Sequence, residues 1–186
     1  MPPRTTPLNK ENYYHVYNRG VNKGLIFFSD RNYQYFLNKM ANFFQPKADI
    51  LAYCLMPNHF HLLLKVNSND FVNTSLRSFL VSYVKSVNIE QKRIGPLFQN
   101  RFQANLVEDE GYFIDCAKYI HLNPVKARLV VLPENWKYSS YSAYLHPDMQ
   151  TFVDTGPLMN YFDSIADFKE FTELEIEQYE SKYFKE

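Results

Sequence analysis

The sequence predicts an α+β domain: an antiparallel sheet covered mainly on one face by helices. Three observations lead there. Short aromatic and β-branched runs alternate with longer stretches whose apolar residues recur every three to four positions. Two of the short runs are separated only by Pro57-Asn58, a connection that suits antiparallel neighbours. The 186 residues are 46% apolar and 22% charged, enough to bury one core and too few for several domains.

The elements follow in order. Residues 12–18, NYYHVYN, alternate aromatic and β-branched types and read as a strand. Arg19-Gly20-Val21-Asn22-Lys23-Gly24 is a polar turn with two glycines and two cations. Ser29 or Asp30 caps a helix running to Phe44, with Tyr33, Phe36, Leu37 and Met40 on one stripe, and Gln45-Pro46 stops it. Ile50–Met56 and His59–Val66 form a strand pair. Asp70 opens a second helix through Ile89 that buries Phe71, Leu76, Phe79, Leu80 and Val84. After Gly95-Pro96, residues Phe98–Val107 read as a strand carrying Arg101. Glu108-Asp109-Glu110 starts a third helix, its acidic residues matched to the positive N-terminal end. That helix is expected to end or kink near Asn123-Pro124, with Val125–Val130 as a short continuation. The order β-α-β-β-α-β, then a helix, gives the fold class. Trp136 and the cluster YSSYSAY are expected to pack on this body, and 165–183 to form an acidic amphipathic helix.

The net charge of zero conceals an asymmetry. Residues 1–130 hold 16 Lys/Arg and 9 Asp/Glu, a net +7, while 131–186 hold 4 and 11, a net −7. A basic body with an acidic extension suits a polyanion partner, although ordinary surface variation also produces such a split. No run of eighteen apolar residues is available to span a membrane, and MPPRTTPLNKENYY lacks the apolar core of a signal peptide. Cys54 and Cys116 are too few for a disulfide framework and are not spaced as metal ligands. The expectation is a cytoplasmic protein with two free, buried thiols.

Chemistry concentrates in Met56-Pro57-Asn58-His59-Phe60-His61-Leu62-Leu63-Leu64. In a strand, residues i and i+2 share a face, so His59 and His61 project together while Phe60 faces the opposite layer. Such a pair is half of a divalent-metal site, or equally a pair of separately hydrogen-bonded histidines or a structural zinc pair. A third ligand is available in Tyr119-Ile120-His121-Leu122-Asn123-Pro124. Tyr119 and Asn123 are i and i+4 and lie on one helical face. The Asn123 carboxamide oxygen is a hard, neutral ligand suited to Mg²⁺ or Mn²⁺. Two imidazoles and an amide leave the ion its full charge for a phosphodiester oxygen. Tyr119 then stands one turn from the ion. A phenol with a pKa near 10 needs help to act as a nucleophile, and with 15 tyrosines in the chain a packing role competes. Tyr112, two turns earlier, has no Asn four residues on.

MPNHFHLLL, followed about sixty residues later by YIHLNPVKARLV, resembles the single-tyrosine HUH transposases. Within that class the chain is more similar to the REP-associated tyrosine transposases, as YYHVYNRGVNKGLIF and FQNRFQANLVEDEGYF also indicate. The resemblance covers residues 10–145. It implies that His59 and His61 are the HUH pair, Asn123 the third ligand of Mg²⁺ or Mn²⁺, and Tyr119 the nucleophile. That tyrosine would attack single-stranded DNA, leaving a 5′-phosphotyrosine and a free 3′-OH. Asn in place of Gln as third ligand agrees with the REP-associated branch. Arg19, Lys23 and Arg101 resemble basic DNA-contacting positions, though each also suits a solvated surface. His121, turned two residues from Tyr119, suits packing or a surface role better than ligation, and His15 suits a strand residue facing the sheet or its helices. PPRTTPLNKE shows no guide-reading segment of the kind the resemblance implies.

The reading is therefore an α+β, ferredoxin-like or RRM-like domain over residues 1–146, with an acidic, mainly helical extension over 147–186. It would cut and rejoin single-stranded DNA beside a hairpin, as a monomer or homodimer, with no nucleotide cofactor and no membrane. The alternatives are a non-catalytic DNA or RNA hairpin binder that retains the fold, and a replication- or conjugation-initiating HUH nuclease. The latter often carries helicase domains, for which this chain has neither the room nor a Walker sequence.

Overall fold

The computed structural model describes residues 8–149 and 151–174. Strands β1 (Tyr13–Arg19), β2 (Ala48–Met56), β3 (His59–Val66) and β4 (Gln103–Val107) form one sheet in the order β2-β3-β1-β4, every neighbouring pair antiparallel. Helix α1 (Asp30–Phe44) joins β1 to β2. Helix α2 (Arg77–Glu90), entered through a π-wound turn at Val72–Leu76, joins β3 to β4. This is the expected β-α-β-β-α-β order with the first and third strands inside the sheet. Helix α3 (Glu110–Lys126) follows β4.

The two sheet faces have different covers. Phe60 on β3 meets Phe36 of α1 at 5.2 Å between ring centres, and Phe36 meets Phe79 of α2 at 4.7 Å. The predicted α1 stripe of Tyr33, Phe36, Leu37 and Met40 is buried in that layer. On the other face Tyr13 of β1 packs edge-on to Phe113 of α3 at 5.2 Å, and His61 meets Tyr119 at 5.3 Å. The expectation of helices mainly on one face thus describes α1 and α2, while α3 covers the other. Covering both faces is why Phe60–Leu64 is buried without alternation.

One local expectation gives way. The strand forecast over Phe98–Val107 is shorter, and Arg101 lies in a bend before β4. Separate links hold the earlier part: Phe98 bridges Gly20, the Gln99 amide donates to the Arg19 carbonyl at 2.9 Å, and Asn18 Nδ2 donates to the Asn100 carbonyl at 3.2 Å. Helix α3 ends at Lys126, two residues past Pro124 and near the expected Asn123-Pro124. Proline forfeits the amide that would reach back to Ile120. Burial of His121, Leu122, Asn123 and Pro124 holds the helix together across that gap. It closes beyond, where the Ala127 amide reaches the Asn123 carbonyl at 3.0 Å and Leu129 reaches Pro124 at 2.9 Å.

The Trp136 and tyrosine cluster packs on the body, as expected. It lies along the outer edge of β2: the Leu55 amide donates to the Tyr138 carbonyl at 2.9 Å, and Ser140 donates to Tyr53 at 2.9 Å. Helices α4 (Tyr141–Leu145), α5 (Gly156–Met159) and α6 (Ile165–Glu173) complete the described chain. Phe168 of α6 is 2% exposed, and the Lys118 ammonium on α3 donates to the Phe171 carbonyl at 2.7 Å. The forecast helix over 165–183 is seen to Glu173, and its remainder beyond 174 lies outside the described residues, as does 1–7. Both cysteines are free and buried. No helix among the described residues is long and apolar enough to cross a membrane.

Candidate active site

The tight Pro57-Asn58 turn sets the register Met56↔His59 and Cys54↔His61, which turns both histidines toward α3. Their ring centres are 5.0 Å apart and nearly perpendicular. Asp109 caps α3, its carboxylate accepting from the Tyr112 amide at 2.7 Å, and this fixes where the helix begins above the sheet. Tyr119, 4% exposed, and Asn123, 2% exposed, then face the histidines. The structure brings His59, His61, Tyr119 and Asn123 together.

Hydrogen bonding determines which atoms these groups present. The Asn123 carboxamide donates through Nδ2 to the Tyr119 carbonyl at 3.1 Å, which aims Oδ1 at His59 Nε2, 3.3 Å away. Asn58 donates through Nδ2 to the Lys23 carbonyl at 3.0 Å, which leaves its Oδ1 2.6 Å from His59 Nδ1. A carboxamide oxygen only accepts, so His59 Nδ1 carries the proton. In neutral His59, Nε2 then presents a lone pair to the Asn123 oxygen. Two acceptors face one another, an arrangement that calls for a proton or a cation between them. Neighbouring ligands in an octahedral shell at about 2.1 Å stand about 3 Å apart, close to this spacing.

His61 supplies a third donor. Its Nδ1 pairs with His15 Nε2 at 2.9 Å, while its Nε2 is buried with no hydrogen-bond partner among the described residues. Burial, reinforced by His15, His59 and Arg19, holds its pKa well below the usual histidine value, so the ring is neutral and able to bind a cation. An orphaned buried nitrogen on a ring 5.0 Å from that of His59, which faces the Asn123 oxygen, fits a divalent ion. Among the described residues no group of three or more His, Cys, Asp or Glu gathers for a metal; Asn123, a carboxamide, falls outside that set of residue types.

Tyr119 packs edge-on to both His61 and His15, at 5.3 and 5.9 Å between ring centres, and the Lys126 ammonium lies 5.4 Å from its ring centre. Tyr112, the competitor, sits two turns away, its pKa pushed up to about 12 by burial first and Cys116 second. His121 faces away, bonded to the Ser140 hydroxyl at 3.0 Å among Tyr141, Tyr144 and Phe168, a packing role as expected.

The three cations gather around one end of the sheet. Arg19 pairs with His59 in the β1–β3 register. Lys23 lies in the turn that holds Asn58, and exposed Arg101 lies in the bend before β4. Sequence reasoning missed Asn58 and His15. Asn58 was legible as the residue beside His59 in a tight turn; His15 became visible only with the strand pairing.

A profile of the family described as IS200-like transposases matches residues 10–123. A Haemophilus influenzae protein assigned as a REP-associated tyrosine transposase is 27% identical over 152 residues, 67% of this chain and 84% of that one. A solved REP-associated tyrosine transposase bound to a REP hairpin superposes with a TM-score of 0.63 at 16% identity, covering 85% of this chain and 93% of that one. With the profile spanning both central strands, the histidine pair, the tyrosine and the asparagine, the chain belongs to the IS200-like transposase family.

Proposed function

We propose that this protein cuts and rejoins single-stranded DNA beside a hairpin, with Tyr119 as nucleophile. The observation that carries the proposal is the packing of Tyr119 against His61, whose Nε2 has no hydrogen-bond partner among the described residues and whose ring lies 5.0 Å from that of His59, itself facing Asn123 Oδ1. His59, His61 and Asn123 would hold Mg²⁺ or Mn²⁺. Such an ion, when bound, supplies Lewis-acid polarisation of the scissile phosphate.

The Tyr119 hydroxyl oxygen attacks phosphorus, and its proton passes by way of solvent to the departing 3′ oxygen. The bond from phosphorus to the 3′ oxygen breaks, and that oxygen leaves as a 3′-hydroxyl. The product is a 5′-phosphotyrosine, which retains the energy of the phosphodiester. A 3′-hydroxyl attacks it in the reverse reaction, so rejoining needs no nucleotide cofactor. Arg19, Lys23 and Arg101 would meet backbone phosphates at the end of the sheet where His59 lies. Hairpin DNA as the substrate is supported by the hairpin bound to the solved relative and by the +7 charge of residues 1–130.

The test is a denaturing gel of labelled single-stranded hairpin DNA incubated with Mn²⁺ and either wild-type protein or Tyr119→Phe. Wild type is expected to form a slow-migrating covalent adduct. The Phe variant, which keeps the ring, is expected to bind the hairpin and form none. An adduct with the variant would move the role to Tyr112. Hairpin binding without any wild-type adduct would support the non-catalytic binder instead.

A further inference from the structure

We infer that His15 is a positioning residue that locks His61 in the one tautomer able to bind the ion, an inference that rests on the metal site proposed above. His15 is 1% exposed on β1 and lies on the same sheet face as His61. Its Nε2 is 2.9 Å from His61 Nδ1, and the two rings lie edge to edge and nearly coplanar, 18° between planes and 5.1 Å between centres. Tyr17 stacks on both rings, at 4.9 and 5.9 Å, and Tyr119 closes edge-on over them.

The consequence follows from the chemistry of neutral imidazole, in which one ring nitrogen donates and the other accepts. His61 binds an ion through Nε2 only when its proton sits on Nδ1. That proton needs an acceptor, and the His15 Nε2 lone pair provides it. His15 is therefore neutral with its own proton on Nδ1. A hydrogen bond of this kind fixes ring orientation and raises the basicity of a ligating nitrogen, and its loss elsewhere costs roughly ten- to a hundredfold in metal affinity. His59 receives the equivalent support from Asn58 Oδ1. The two ligands are thus held by different means, one by a surface turn and the other by a buried histidine on the neighbouring strand.

The test titrates Mn²⁺ alone into metal-free protein, following the free-ion electron paramagnetic resonance signal, for wild type, His15→Phe and His15→Gln. The Phe variant keeps a ring and removes the acceptor; Gln restores an acceptor oxygen. Wild type is expected to bind one Mn²⁺, Phe to bind it at least about tenfold more weakly, and Gln to recover most of the difference. Nitrogen-15 spectra of the wild-type imidazoles should show His61 protonated at Nδ1, a signature that a purely structural role for His15 does not require. Equal affinity in wild type and His15→Phe, or a wild-type His61 protonated at Nε2, overturns the inference. Absence of Mn²⁺ binding by wild type would instead remove the metal site itself. Should His15→Phe fail to fold, the wild-type tautomer and the Gln affinity decide.

Discussion

Asn123 works in two directions. Its Nδ2 is tied to the carbonyl of Tyr119, and its Oδ1 faces His59. Replacing it with alanine removes both contacts, yet the helix loses little. The Tyr119 carbonyl keeps its place in the helical ladder, and alanine is the better helix former by a few tenths of a kcal/mol. Asn123→Ala is therefore expected to unfold within about 1 kcal/mol of wild type while Mn²⁺ affinity falls at least about tenfold. Calorimetric melting and Mn²⁺ titration on the same sample check this. A large loss of stability with unchanged affinity would make Asn123 a structural residue. At this scale the sequence is informative where the geometry is local. Period two puts His59 and His61 on one face, and four residues of helix put Tyr119 and Asn123 on another. His15 belongs to the same site but lies 46 positions from His61 in the chain. Its role depends on β1 pairing with β3 in one register, which neither segment encodes alone.

The turn between β1 and α1 controls the site at the scale of an element. Asn22 and Lys23 adopt left-handed backbone angles, φ 52° and 58°, and the chain closes on itself so tightly that a Cβ on Gly20 would lie 2.1 Å from the Gly24 carbonyl oxygen. That turn presents the Lys23 carbonyl to Asn58, and Asn58 in turn holds His59. Gly20→Ala forces the turn open, at a cost of about 1–3 kcal/mol. Because the displaced turn leads to His59, adduct formation should fall further than the loss of stability explains. Gly95→Ala is the comparison: Gly95 has φ 99°, so alanine there is strained, but a Cβ meets nothing within 4 Å. It should lower the melting temperature and leave the adduct yield of folded protein unchanged. Equal effects of the two variants on adduct yield would disconnect the turn from the site. The glycines and cations of this turn were legible in the sequence as a turn. Its link to the histidine was not, because that link is a backbone carbonyl. The passage of α3 through Pro124 has a similar cause. Pro124 signals a break through its missing amide, but burial of the flanking residues acts over the whole helix and prevails.

At the scale of the whole molecule, both sheet faces are covered and residues 136–140 run along the β2 edge, so three histidines end up inside. Burial lowers the pKa of His15 to about 3 and of His121 to about 3, and burial first among several causes lowers that of His61. In the unfolded chain the same groups titrate near 6.5. Below that value the unfolded chain takes up protons that the folded chain refuses. The stability these groups contribute is therefore complete above pH 6.5 and declines as pH falls toward 3. Each histidine removes roughly 1.4 kcal/mol per pH unit in that window, so His15 and His121 together remove roughly 3. Against a typical margin of about 5–15 kcal/mol, metal-free protein near the lower end should unfold around pH 4 to 5. Trp136, the single tryptophan, packs against Tyr33 and Tyr138 and reports the transition by fluorescence. His121 packs among Tyr141, Tyr144 and Phe168, and His121→Leu replaces a titrating ring in an aromatic nest with an apolar side chain. Denaturant melts of this variant between pH 6.5 and 4.5 should show a pH slope shallower by about one proton than that of wild type. Identical slopes would mean that His121 is protonated inside the fold at ordinary cost, and that the acid sensitivity of the protein arises from other groups.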